Sequence, residues 1–168
     1  PNKCVEELIE AFAWYHKRIE RRSDLILVGS ERSCPRYFAM LRMFAAELDL
    51  TSVSFVRYAS PAGLVAYYEA ADLFATTSRH EGYCLPVVEA MYKGVPVLAR
   101  SVGGVPEAMD GAGATFDEAS PQELACLMQR MISDSGLRGE VLASQQARIR
   151  RLRDRPVRQE FEALLSAL

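Results

Sequence analysis

Short apolar runs alternate with longer stretches of helical period along the 168-residue chain. Residues 3–22 carry Leu8, Ile9, Phe12 and Ala13 on one stripe, the spacing of an amphipathic helix. Trp14 and Tyr15 are neighbours there, so one should pack and the other face solvent. Asp24 to Val28 is an apolar run that ends at Gly29-Ser30, and Pro35 opens a second helix reaching about Leu50. Val53 to Val56 predicts the next strand. Ser60-Pro61 supplies an N-cap and an N1 proline for a helix to Ala71. Asp72 to Thr77 and Val95 to Ala99 predict two more strands around a helix that starts at Pro86 and stops at Lys93-Gly94. Gly103-Gly104 leads into a short helix near Pro106, and Ala114 to Phe116 is a further short strand. Ser120 with Glu123 is a capping box opening a helix to Ser133. Residues 136–151 and 157–168 predict two more helices.

Strands that are continuously apolar and separated by helices specify a parallel sheet covered on both faces, a Rossmann-like α/β fold. The stretch Arg153 to Pro156 is the best boundary. It divides a domain at 1–155 from a C-terminal helix at 156–168.

Composition changes this picture little. Apolar residues are 49% and charged residues 25%, an ordinary globular balance. A net charge of −2 gives no global field for nucleic acid. No apolar run reaches the ~18 residues of a membrane span. The four cysteines form no CxxC pair, as expected of reduced thiols, and two histidines without visible partners predict no metal site. The basic stretch from Arg148 to Arg158 is expected to be a solvated helix face, since Asp154 interrupts it, with an anionic membrane surface as its alternative use. The chain starts at Pro1 rather than Met and is read as a fragment.

Ligands of open parallel sheets bind at the carboxyl ends of the strands. Here those ends hold Gly29-Ser30, Arg57-Tyr58, Ser78 to Gly82 and Ser101 to Gly104. Glycine there also serves turn geometry, so this edge alone defines a generic crevice. The run from Glu81 through Gly82, Tyr83, Cys84, Leu85 and Pro86 to Glu89 says more. A loop containing glycine meets a helix amino terminus, where free amides and the helix dipole favour an anion such as a diphosphate. Glu81 and Glu89 would repel that anion if they touched it. They suit neutral hydroxyl groups, such as those of ribose and a sugar.

The run from His80 to Met91, then Gly94 to Val97, then Gly103-Gly104-Val105-Pro106-Glu107 resembles the GT4 group of retaining glycosyltransferases. The two glutamates match that family's E-x7-E signature. Asn2-Lys3, Leu27 to Ser30 and Tyr67 to Phe74 extend the similarity to about residue 150. The resemblance implies the C-terminal donor-binding half of a GT-B fold whose first strand is missing from this chain, together with the N-terminal acceptor domain.

By position, the resemblance makes Lys3 the partner of the donor diphosphate and Glu81 the contact of the transferred sugar. Glu89 would hold the ribose hydroxyls. Gly82, Tyr83, Cys84 and Leu85 would cradle the distal phosphate, with Gly29, Arg57 and Tyr58 bordering the donor. Cys84 and Arg57 stand where the family usually has glycine. The leaving diphosphate is the expected proton acceptor, stabilised by Lys3 and the loop amides. No cofactor or metal is expected. The expected partners are a UDP-, GDP- or ADP-linked sugar, the N-terminal domain of the same protein, and an acceptor sugar or lipid-linked glycan, in the cytoplasm or at its membrane face. The isolated chain is expected not to transfer sugar. A non-catalytic nucleotide-binding or scaffolding module and a nucleotide-sugar epimerase are the alternative readings.

Overall fold

A computed structural model describes residues 2–166. Eight α-helices and five strands follow one another among them. They are α1 (Val5–Arg18), β1 (Leu25–Val28), α2 (Pro35–Glu47), β2 (Val53–Val56), α3 (Pro61–Ala70), β3 (Phe74–Thr76) and α4 (Leu85–Tyr92), then β4 (Val97–Arg100), α5 (Val105–Met109), β5 (Ala114–Phe116), α6 (Pro121–Ser133), α7 (Ser135–Arg153) and α8 (Val157–Ser166). The expected caps are in place. Ser60 accepts from the Gly63 N–H, and Ser120 and Glu123 bond each other's backbone as a capping box. Gly94 takes a φ of +72° just past α4, where a side chain would be strained. Helix α1 is shorter than expected, closing at Ile19, and a 3-10 turn at Glu31–Ser33 was not expected.

All pairings are parallel, yet they form two sheets instead of the expected one: β1-β2 and β3-β4-β5. Helix α1 bridges them. Ile9, Phe12 and Ala13 pack toward α2 and the β1-β2 pair, while Leu8, Ala11 and Tyr15 pack toward α6, β4 and β5. Leu25 and Leu27 belong to both clusters, so the sheets meet through side chains where no strand pairs them. Tyr15 is buried and Trp14 exposed, the expected division.

Coverage of the sheets is uneven. Strand β4 is buried throughout, with Val97 and Ala99 on the α3–α4–α5 side and Leu98 on the α1–α6 side. Gln145 of α7 extends its backbone bonding, accepting from the Val97 N–H at 2.9 Å and donating to the Val95 carbonyl at 2.8 Å. Strand β1 departs from two-sided burial, because Ile26 and Val28 are exposed while Leu25 and Leu27 pack inward. Helices α1 and α2 both lie on its inward side.

The stretch from Arg153 to Pro156 is the turn where α7 ends and α8 begins. Helix α8 buries none of its described residues and exposes Val157, Phe161, Leu164 and Leu165. The expected eleventh and twelfth residues of that helix, 167 and 168, lie outside the described residues. Among the described residues no helix is long and apolar enough to cross a membrane.

Candidate functional site

Two segments far apart in sequence converge at the carboxyl end of β3. The first is Asn2 to Cys4, which runs into α1. The second is the loop between β3 and α4, residues 77–84. The Arg79 N–H donates to the Asn2 carbonyl at 2.9 Å, and the Thr77 hydroxyl to the Cys4 carbonyl at 2.8 Å. This brings the Lys3 ammonium to 2.6 Å from the Glu81 carboxylate, across 78 residues of sequence. The Glu81 side chain is 7% exposed and that of Lys3 is 54% exposed, so a buried carboxylate meets an ammonium that reaches solvent.

Burial pushes the Glu81 carboxyl up, but hydrogen bonds from Lys3, Ser78 and Cys84 and the ammonium charge outweigh it and hold the carboxyl below its usual range. Glu81 is therefore an ionised acceptor at neutral pH. It is not placed to donate a proton.

Helix α4 starts inside this loop. Its N-cap is Cys84, at φ 60° and ψ 63°, and the cap makes no side-chain hydrogen bond to the helix. The left-handed backbone explains why glycine suits this position. The uncapped amino terminus carries the positive end of the helix dipole. The Cys84 thiol is buried, and burial with the nearby Glu81 charge pushes its pKa up, so it packs rather than reacts.

The glycine pair of the following loop is explained by close approach. A Cβ on Gly103 would lie 2.1 Å from the Glu81 carbonyl oxygen, and one on Gly104 would lie 1.8 Å from that of Gly82. The Gly104 N–H donates to the Glu81 carbonyl at 3.3 Å. Gly103-Gly104 thus braces the backbone of the Glu81 loop. Gly82 has nothing within 4 Å of where a Cβ would stand, so that side of the loop is open.

Glu89 lies on the second turn of α4 and is exposed. The buried Tyr68 of α3 donates its hydroxyl to the Glu89 carboxylate at 2.9 Å. Burial and that carboxylate hold the phenol well above its usual pKa, so it remains a donor.

The structure brings Lys3, Glu81 and Cys84 into contact, and the loop carries Gly82, Tyr83 and Leu85 alongside. The other three expected site residues stand at the ends of the two-stranded sheet. The Gly29 N–H donates to the Val56 carbonyl, Arg57 pairs with Glu31 at 3.2 Å, and Tyr58 is 81% exposed. Ser78 stood in the expected strand-end set, whereas sequence reasoning gave Thr77 and Tyr68 no role in the site. Thr77 and Ser78 are polar yet buried at the end of a strand, a pattern visible in the sequence. Tyr68 falls in an apolar helix and gives no such signal.

The basic stretch also differs from expectation at one residue. Arg148 is 13% exposed at its side chain and donates to the carbonyls of Glu107 and Ala108 at 2.8 and 3.0 Å. It closes the carboxyl end of α5, where unpaired carbonyls favour a cation. It also borders a cavity of about 410 Å³ shared with Tyr83.

Parallel sheets flanked by helices give this chain the α/β fold of the C-terminal domains of GT-B glycosyltransferases. Residues 1–149 match the family of glycosyl transferases group 1, and the chain belongs to it. A curated relative, the serotype-specific mannosyltransferase WbdA of Escherichia coli, is 26% identical over 145 residues, which is 85% of this chain and 18% of that protein. The D-inositol 3-phosphate glycosyltransferase of Corynebacterium jeikeium is 33% identical over 117 residues, 68% of this chain and 28% of that protein. The chain therefore spans less than a third of these curated relatives. Among solved structures, Anabaena HepE in complex with UDP-glucose is 28% identical with a TM-score of 0.82, over 100% of this chain and 46% of that one. The C-terminal domain of the group 1 protein LpcC of Francisella tularensis shares the fold, with a TM-score of 0.73 at 24% identity over 88% of this chain and 78% of that one.

Proposed function

We propose that this chain is the donor-binding domain of a retaining, GT4-type glycosyltransferase and that it binds a nucleotide-diphosphate sugar. The observation that carries this reading is the meeting of Lys3, Glu81 and the uncapped amino terminus of α4. A diphosphate needs cations and amide donors, which Lys3 and the start of α4 supply. Glu89, oriented by Tyr68, accepts from the ribose hydroxyls. Glu81, kept ionised, accepts from hydroxyls of the transferred sugar. Binding exchanges the Lys3–Glu81 pair for donor contacts, so each group meets a partner of opposite character. As the bond from sugar to diphosphate breaks, charge grows on the leaving oxygens, and Lys3 with the loop amides stabilises it. The leaving diphosphate accepts the acceptor's proton.

The diphosphate charge is met by Lys3 and amides, so this reading needs no metal ion. The UDP and UDP-glucose bound to HepE support uridine nucleotides as the first donors to try. The acceptor is a sugar or lipid-linked glycan held by further sequence of the same protein, in the cytoplasm. In the protein that carries this domain, NMR of the product formed from an α-linked donor is expected to show an α-linkage, in the presence of chelator. A β-linked product would overturn the retaining assignment. Donor binding without transfer would favour a non-catalytic module.

A further inference from the structure

The amino terminus of α1 has no side-chain cap: Cys4 is its N-cap, in the left-handed region at φ 46°, and makes no capping bond. Lys3 precedes it by one residue. That end of the chain is tied to the β3–α4 loop by the Arg79 N–H on the Asn2 carbonyl and the Thr77 hydroxyl on the Cys4 carbonyl, and the side chain of Glu7 adds a second tether. Glu7, in the first turn of α1, meets two arginines. Arg79 donates its Nε to Glu7 at 2.9 Å, and Arg100 donates from a terminal nitrogen to the other carboxylate oxygen. Both arginines also reach Glu118, at 3.4 Å each.

Arg100 is the unusual member of this cluster. It ends β4, is 2% exposed, and lies over the Phe116 ring at 5.4 Å. Its Nε is buried without a hydrogen-bond partner. A buried guanidinium left short of one bond is weak evidence for stability, because an apolar residue of similar volume often serves as well. Rigid, forked geometry is what arginine adds. Strand β4 is the most buried strand, so a fork fixed to its end makes a stable reference point for α1.

We propose that Arg100 is a positioning residue for Lys3: it grips Glu7, sets where the first turn of α1 lies against β3 and β4, and so fixes the ammonium at Glu81. Arg79 joins this by two routes, through Glu7 and through its N–H on the Asn2 carbonyl. On the other side of the turn, the Tyr37 hydroxyl of α2 accepts from the Val5 N–H at 3.0 Å and donates to Glu6. The consequence for donor binding rests on the function proposed above.

The chain has only three lysines, Lys3, Lys17 and Lys93. Reductive methylation of the 168-residue chain with 13C-formaldehyde therefore gives three assignable dimethyl-lysine signals. In the parent, the Lys3 signal is expected to move when Glu81→Gln is introduced. In Arg100→Met it is expected to shift toward the free-lysine position and to lose that response, with Lys17 and Lys93 unmoved. A Lys3 signal that stays in place and still responds to Glu81→Gln would overturn the proposal, whatever happens to the melting temperature. If Arg100→Met does not fold, Glu7→Gln, which keeps the side-chain volume, is judged by the same two outcomes.

UDP affinity adds the functional arm. Arg100→Met is expected to weaken UDP about tenfold, and to have no effect once Lys3→Met is present, a coupling of ordinary size for residues in one network. Equal losses in both backgrounds would overturn action through Lys3. If the parent binds no nucleotide, the donor reading fails, and the Lys3 signal still decides the positioning claim.

Discussion

Glu81 is where opposing effects meet in one side chain. Burial raises its carboxyl, while Lys3, Ser78 and Cys84 favour the charged form and prevail. Because its folded pKa is lowered, its contribution to stability is complete above the unfolded value of about 4.3 and is lost as pH falls through the lower folded value. Glu81→Gln is therefore expected to cost about 1 kcal/mol near neutral pH, a drop of about 2–4 °C in melting temperature. Thermal melts of both proteins from pH 7 to pH 3 should converge at the acid end; a gap independent of pH would contradict the ionised pair. The sequence showed Glu81 as half of a paired motif. It did not show that its resting partner is Lys3, because a contact across 78 residues follows from chain topology and not from local pattern. Tyr68 was hidden for another reason. An aromatic residue in an apolar helix looks like core, and only the neighbouring strand and helix show that its hydroxyl emerges beside Glu89.

At the scale of elements, the glycine pair carries the most legible chemistry. Its place at a strand end and in the family-like run marked it from the sequence, and the structure supplies the reason: two loop backbones touch with no room for a side chain. Gly104→Ala puts a methyl group inside the Gly82 carbonyl, so the Glu81 loop must move. This change is expected to cost about 1–3 kcal/mol, as for overpacking, and to abolish tight nucleotide binding. Denaturant unfolding checks the first and a nucleotide titration the second. A variant that binds and unfolds like the parent would show that the bracing does not matter. Helix starts and stops were also legible, since caps are local: Ser60, Ser120 and Gly94 all act where their chemistry required. The division into two sheets was not. Strand composition specifies parallel pairing, but which edges meet depends on tertiary packing, and here α1 fills the seam.

Over the whole molecule, stability and site share one framework: α1 locks the two sheets together with its buried faces and presents Lys3 from its amino end. Helix α8 lies outside that framework, burying none of its described residues while its apolar side chains stay exposed. Truncation after Pro156 is expected to change the melting temperature by less than about 2 °C. Calorimetric melting would show it, and a loss of cooperative unfolding would mean that α8 supports the core. The turn between α7 and α8 falls in the charged, proline-ended stretch, whereas the exposure of the apolar face of α8 required the fold.

The donor site itself is tested most directly by titration calorimetry of the 168-residue chain with UDP, GDP and ADP. One nucleoside diphosphate is expected to bind in preference to the others. Lys3→Ala and Glu89→Ala should each weaken it about tenfold or more, and Tyr68→Phe about fivefold, in keeping with the loss of charged and neutral hydrogen bonds respectively. Binding that is indifferent to Lys3 and Glu89 would place the nucleotide elsewhere on the molecule and contradict the account.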